Sequence, residues 1–406
     1  MFSPVLITEP LLEFRNGVTL RSPRRGMMNP GPYDYGKIPE VKVALLLRHE
    51  LVSSFDKFWH VVVDGDAQSG YRGFAPTFGS KLTILKRSVY DQTTTLKDWI
   101  TRESFNLPPH SVVLVCLTDE EVERNYFELK TAVMLQGPRA QLLTASVLNR
   151  ASPGFIAIGL ATGIYAKAGG TPWRLVDPLA PSGLFVGLGF AIAKESSDIY
   201  FGVVEVYDRF GKLVEVTAEA YKSPMFRSTE GLFIPQGNLT EILQGIKSRL
   251  NPLFLIAHKS GQFHKEELAA FDKLALPQAL VHLEFSNAYR LYDSKDPKLA
   301  AFRGLLAKDT ESSGRGILLT TGNINDTFVV RHQMGTPRAI EVNVQKNTVG
   351  STLEQLSDQV LKLTKLDWNT LATAVRKPIT ITYAATAAGF AAEGYTRTVY
   401  DVRDLI

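Results

Sequence analysis

A single cysteine among 406 residues excludes disulfides and cysteine-based metal centres. That residue, Cys116, lies in the apolar run SVVLVCLT, where a thiol packs as a small hydrophobe. No apolar stretch reaches the length of a membrane span, and the opening MFSPVLITEPLLEF carries Glu9 and Glu13 where a secretory signal would be basic and then apolar. The expected location is therefore the cytoplasm. Charge of one sign is also scarce: Lys and Arg number 45 against 41 Asp and Glu, a formal excess of +4, which permits a nucleic-acid partner without arguing for one. Internal repeats and low-complexity tracts are absent, so a repeat array is not expected. Among the histidines, His258, His264 and His332 have a spacing that suits no common zinc motif. Gly73 to Lys81 approaches a Walker A loop but has one residue too many between its glycines and no clear helix after Lys81 to aim amides at a phosphate.

What is present is an ordinary soluble composition, 45% hydrophobic and 21% charged, in a chain long enough for two domains. Residues 1–37, rich in Pro, Gly and Arg, read as an extended leader that packs on a domain. From Val41 the short apolar runs VKVALLL, FWHVVVDGD and SVVLVCLT, with helical segments between and after them, predict strands of an open α/β sheet, a Rossmann-like domain over 38–170. A second series over 171–406 begins with GLFVGLGFAIA, DIYFGVVEVYD and KLVEVTAEAY. Asp208-Arg209-Phe210-Gly211 between the last two is a hairpin signal, so three consecutive antiparallel strands are expected. A helix over NLTEILQGIKSRL and a buried strand in PLFLIAHKSG follow. Further strands are expected in ALVHLEFS, GILLTT, TFVVRH and AIEVNVQ. A helix opens at Ser351 with a capping box to Glu354, and ITITYAATAAGFAA reads as a strand running into a helix.

Polar residues are sparse and oddly placed between Tyr126 and Trp173. Tyr126 and Lys130 are four apart in a helical run and share a face. Gln141 follows a Gly137-Pro138 break. Ser152-Pro153 opens an apolar helix that stops at Gly169-Gly170, which puts Lys167 in its last turn. Two ammonium groups, a phenol and an amide can converge on one anion, and a phosphate needs such donors and charge. The order Tyr-x3-Lys, Gln, then Lys-x-Gly-Gly-x-Pro-Trp resembles the guide 5′-phosphate pocket of prokaryotic Argonautes, particularly the short kind built of MID and PIWI domains alone. The resemblance runs from Gly31-Pro32-Tyr33-Asp34 to the C-terminus.

The resemblance implies an α/β protein, a Rossmann-like MID domain followed by a ribonuclease-H-like PIWI domain. It assigns Tyr126, Lys130, Gln141 and Lys167 to the guide phosphate. Slicing PIWI domains hold two metal ions about 3.5 to 4 Å apart on a carboxylate cluster. Here the matching positions are Gly189, Ser260 and Ala385, within Gly187-Leu188-Gly189, Lys259-Ser260-Gly261 and Tyr383-Ala384-Ala385, so three of four lack a ligand and no cutting is expected. The fourth, a mobile Glu, has no assigned position. Thr320-Thr321-Gly322, Arg331-His332 and Gly335-Thr336-Pro337-Arg338 resemble loops facing nucleic-acid backbones, and read equally well as ordinary turns. Several Argonautes of this type place the terminal carboxylate by the MID pocket, which makes Ile406 a ligand for a structural Mg2+ shared with the guide phosphate, Gln141 nearby. Otherwise Leu405 and Ile406 simply pack into the core. The partners implied are a guide, RNA in preference to DNA, a complementary single-stranded target, DNA, and an APAZ-domain protein carrying a sirtuin-like, TIR or nuclease effector used against plasmids or phages. A stand-alone nucleic-acid-binding protein and an active nuclease are the alternatives.

Overall fold

Two runs, Val41–Leu47 and Val112–Leu117, are apolar at almost every position instead of every second one, a pattern suited to a sheet covered on both faces. In the computed structural model, which describes all residues except 91–93, 104, 195, 197–198, 223–230, 295–300, 325–336 and 396–400, they lie in β4 (Glu40–Arg48) and β6 (Ser111–Leu117). With β5 (Lys81–Tyr90) and β7 (Arg139–Thr144) these make a four-stranded parallel sheet in the order β5-β4-β6-β7. Val43, Leu45 and Leu47 share a core with α1 (Val52–Asp64) and α3 (Pro153–Lys167). Leu46, Val113 and Val115 face a second core with α2 (Asp119–Met134).

The run FWHVVVDGD, expected as a strand, lies in α1 up to Asp64. Its buried residues Phe55, Phe58 and Val62 fall at helical spacing, and Gly65, at φ 97°, closes the helix by donating its amide to the Val61 carbonyl. The missing strand is β5, an edge strand whose Ile84, Leu85 and Val89 are exposed among lysine and arginine, so no apolar run announces it.

Residues 1–37 are more structured than a leader. β1 (Phe2–Leu6) pairs antiparallel with β14 (Leu305–Asp309), while β2 (Leu12–Glu13) joins β3 (Thr19–Leu20) and β8 (Arg174–Leu175) in a small ribbon. Glu9 accepts from the fully buried Arg303 guanidinium at 2.8 Å and is ion-paired with buried Lys365. Burial and the adjacent Arg303 pull Lys365 down to about 8 against the pull of Glu9. Arg303 also donates to the main-chain oxygens of Thr320 and Leu361 and to Thr364. Arg303→Ala therefore leaves several buried acceptors unmet, and a loss of about 3 to 5 kcal/mol is expected from urea unfolding midpoints. A loss within 1 kcal/mol would show that the network is dispensable.

The second sheet has nine strands in the order β1-β14-β15-β16-β13-β12-β9-β10-β11. As expected, β9 (Leu184–Ile192), β10 (Ile199–Tyr207) and β11 (Leu213–Lys222) run antiparallel. Helix α4 (Gln236–Leu250) then leads to β12 (Leu255–Lys259), parallel to β9, and α5 (Lys265–Lys273) to β13 (Gln278–Glu284), parallel to β12. β15 (Arg315–Leu318) and β16 (Ile340–Asn347) extend the sheet. TFVVRH, at 327–332, lies outside the described residues.

Two helix expectations shift. The capping box of α6 (Leu353–Leu363) is Thr352 with Gln355, one residue later than Ser351 with Glu354, because Glu354 is paired with Lys308 instead. The stretch ITITYAATAAGFAA is helical throughout, α7 (Ile379–Ala392), despite its β-branched start. Its position across β9 explains the override of local propensity: Cβ atoms on Gly187 and Gly189 would lie 2.1 Å and 2.3 Å from main-chain atoms of Thr380 and Ala384, so the two glycines let helix and sheet meet at backbone distance. A last short helix, α8 (Val402–Leu405), returns the chain to α3 and β7.

Candidate nucleic-acid interface

Thr118 and Glu121 cap α2 reciprocally, and the helix then carries Tyr126 and Lys130 one turn apart. Lys130 is buried, and its ammonium donates to the Tyr126 hydroxyl at 3.3 Å and to the main-chain oxygen of Ile406 at 3.0 Å. It also lies 5.2 Å and 5.4 Å from the ring centres of Tyr126 and Phe390. The Ile406 oxygen is held there from the other side. Arg139 pairs with Asp404 at 3.3 Å, and Asp401 caps α8, while Leu405 and Ile406 are buried.

Lys167 ends α3, where Gly169 and Gly170 reverse the chain and donate to the carbonyls of Ala166 and Tyr165. Its side chain is buried, yet its ammonium makes no hydrogen bond to any described residue. Burial first and the like charge of Lys130 second push its pKa well below the usual lysine value, opposed by Asp367. Asp367 is itself raised by burial and accepts a 3.3 Å hydrogen bond from Tyr383. Gln141 on β7 donates to the Leu142 carbonyl, and its Oε1 is 3.3 Å from where a Cβ on Gly163 would stand. Gly163 is one turn before Lys167 on the same face of α3. The structure thus gathers Tyr126, Lys130, Lys167 and Ile406, with Gln141 against the preceding turn of α3. An anion there would meet two ammonium groups, one of them without a hydrogen-bond partner among the described residues. A hard cation would find the Ile406 oxygen and Gln141 Oε1, the latter left open by a glycine, and a magnesium ion that keeps most of its waters needs few protein oxygens.

At the positions matched to a slicing centre, Gly189 lies under α7, Ser260 is exposed after β12, and Ala385 is exposed on α7, a helix rather than the expected strand. No cluster of three or more His, Cys, Asp or Glu able to hold a metal occurs among the described residues. The row through Gly187 does carry titratable neighbours that sequence reasoning passed over, Glu205 on β10 and His258 on β12. Burial raises Glu205, whose carboxyl accepts from Tyr207, and lowers His258 to about 4 beside Thr380. A carboxylate inside the apolar run VVEVY was the available signal for Glu205.

The backbone-facing loops divide. Arg331 and His332 lie outside the described residues. Thr320 is interior, its hydroxyl donating to the Arg376 carbonyl. Arg338 is exposed, and together with Arg290 it lowers the pKa of Arg376, after burial. Arg376 and Lys377 both lie near the Phe285 ring, at 5.6 Å and 5.3 Å. Arg290, Arg338, Arg376 and Lys377 thus form a basic cluster at the ends of β13 and β16.

A parallel four-stranded unit joined to a sheet with the strand and helix order of ribonuclease H defines the fold as a Rossmann-like unit followed by a ribonuclease-H-like unit. The same combination occurs in solved Argonautes. Clostridium butyricum Argonaute, bound to a guide DNA and a 19-mer target DNA, matches with a TM-score of 0.71 and 17% identity over 97% of this chain and 53% of its own. Aa-Ago with externally bound siRNA gives 0.68 and 15%, covering 96% of this chain and 54% of its own. A. aeolicus Argonaute gives 0.66 and 16%, covering 95% and 52%. The fold is therefore Argonaute-like, with MID-like and PIWI-like units, and the chain spans about half the length of these structures. No protein-family model and no curated protein matches the sequence. No helix among the described residues is long and apolar enough to cross a membrane.

Proposed function

We propose that this chain is a short, cytoplasmic, non-cutting Argonaute in which a MID domain over 38–170 holds the 5′-phosphate of a guide and a PIWI domain over 171–406 cradles the guide paired to its target. The observation that carries this reading is the buried Lys167 ammonium, without a hydrogen-bond partner among the described residues, beside Lys130 and the Ile406 oxygen. A buried ammonium without a hydrogen-bond acceptor among the described residues is costly, and a phosphate supplies acceptor oxygens together with negative charge. Mg2+ bound by the Ile406 oxygen, with Gln141 nearby, would offset repulsion between that oxygen and the guide phosphate. The guide is RNA in preference to DNA and the target single-stranded DNA. The basic cluster of Arg338, Arg376, Arg290 and Lys377 fits the backbone of such a duplex, a contact that adds affinity without reading sequence. The complex of Clostridium butyricum Argonaute with guide and target DNA supports the partner class. Absence of carboxylates at Gly189, Ser260 and Ala385 supports recognition without cutting, with the response assigned to an APAZ-domain effector partner in defence against plasmids or phages.

The test incubates the purified protein with a 5′-phosphorylated guide, labelled complementary target and Mg2+ or Mn2+. Retention of the target without a shortened product is expected. A guide-directed cut would overturn the non-cutting reading, and equal retention of non-complementary target would overturn guided recognition. Isolation from the source cells should bring down an APAZ-bearing protein, and a chain that arrives alone would remove the effector from the proposal.

A further inference from the structure

Helix α8 is four residues long, too short to hold its own position, so whatever docks it decides where Ile406 lies. Burial of Leu405 and Ile406 supplies an apolar anchor without direction. The directional anchor is ionic. Arg139 on β7 reaches Asp404 at 3.3 Å and Asp401 at 3.8 Å, so one guanidinium lies against both carboxylates that close the capping box of α8. The Asp404 side chain is only 6% exposed, and stripping the guanidinium from a nearly buried carboxylate is costly.

From that pair the position passes along a single turn. The Asp404 carboxylate accepts from the Asp401 amide at 3.0 Å, and the Ile406 amide donates to the Val402 carbonyl at 3.2 Å. The Ile406 oxygen then accepts from Lys130 at 3.0 Å. Arg139 also stands two residues before Gln141 on β7, so both side chains leave the same face of the sheet, the face on which Leu143 joins the core shared with α3. One strand therefore registers both Gln141 and the end of the chain against the pocket.

We propose that Arg139 is a positioning residue of the guide pocket: through Asp404 it fixes the Ile406 oxygen, and that oxygen aims the Lys130 ammonium. The role rests on the guide reading above. Lys130 is oriented by two acceptors, the Tyr126 hydroxyl and the Ile406 oxygen, and with the second gone its charge is no longer held ready for a phosphate. Arg139 itself need not touch the guide.

Two measurements test it: amide hydrogen exchange of the guide-free protein, and affinity for one oligonucleotide carrying either a 5′-phosphate or a 5′-hydroxyl. Arg139→Gln should speed exchange at Leu405 and Ile406 about tenfold or more, with β4 and β6 unchanged as the control for folding. It should also lower the preference for phosphate over hydroxyl about three- to tenfold. Arg139→Lys keeps a cation and should recover part of both. Asp404→Asn keeps an acceptor for the Asp401 amide while removing the charge, and should reproduce both shifts, the double variant going little beyond either single one. The proposal falls if exchange in Arg139→Gln matches wild type, or if the tail loosens while the phosphate preference holds or rises. It also falls if Asp404→Asn raises that preference, since Arg139 would then be contacting the guide itself. A wild type that does not distinguish phosphate from hydroxyl would sink the guide reading and this role with it, and the exchange arm would still decide whether Arg139 holds α8.

Discussion

Gly189→Asp, the change that would restore a carboxylate to the first strand, is expected to destabilise the fold by about 3 kcal/mol or more and to return no cutting. The reason is contact with backbone. A Cβ on Gly189 would stand 2.3 Å from both the carbonyl carbon and the oxygen of Ala384, in the middle of α7. Backbone of a buried helix cannot swing aside as a side chain can, so α7 must lift from β9 before any side chain fits. The carboxylate would also arrive unpaired in an apolar interface. Gly187→Ala is a milder probe of the same contact, since its Cβ would meet the Thr380 oxygen at 2.1 Å. Ala385→Asp, on the exposed side of α7, is the control and should change stability by about 0.5 kcal/mol or less. Urea midpoints for the three variants and a cleavage assay with Mn2+ decide the matter. A Gly189→Asp protein as stable as wild type would sink the packing account, and one that cuts its target would show that the slicing centre lacks only that residue.

Much of this architecture was readable in advance where pattern and packing agree. The β9–β10–β11 meander declared itself through three apolar runs and the Asp208–Gly211 turn. Tyr126 and Lys130 were found because a four-residue spacing on a helix forces proximity, and Lys167 because a Gly-Gly stop fixes the last turn. The errors have physical causes too. Val61-Val62-Val63 and Ile379-Thr380-Ile381 are β-branched runs that tertiary packing holds as helix. β5 escaped because an edge strand needs no apolar run. Contacts between distant segments, such as Glu9 with Arg303 or Lys130 with Ile406, leave no local trace. The same applies to Asp367, which becomes a neighbour of Lys167 only through the docking of one unit on the other.

Lys130→Ala and Lys167→Ala are each expected to weaken binding of a 5′-phosphorylated guide about ten- to a hundredfold, while a 5′-hydroxyl guide is little affected. Each substitution removes a charge-assisted contact worth roughly 1.5 to 3 kcal/mol. The two differ in what they leave behind. Lys130 also holds the Ile406 oxygen and packs on Tyr126 and Phe390, so its loss should loosen the tail as well and lower the unfolding midpoint. Lys167 makes no hydrogen bond to a described residue, so Lys167→Ala should keep or raise stability while losing affinity. Its pKa gives a pH signature. Free Lys167 sits well below the ordinary lysine value, chiefly through burial, and a bound phosphate dianion restores the charged form. Between the free and bound pKa values binding takes up a proton, so affinity falls as pH rises through that window. Below about pH 6 the phosphate itself gains a proton and affinity falls again on that side. Wild type should therefore show a maximum, and Lys167→Ala should lose the alkaline limb and keep the acid one. Chelation of Mg2+ should weaken wild type if the cation bridges the Ile406 oxygen to the guide, and a phosphate preference indifferent to chelator would remove the metal. If wild type does not distinguish phosphate from hydroxyl, or if both variants keep that preference with an unchanged pH profile, the guide end is held elsewhere.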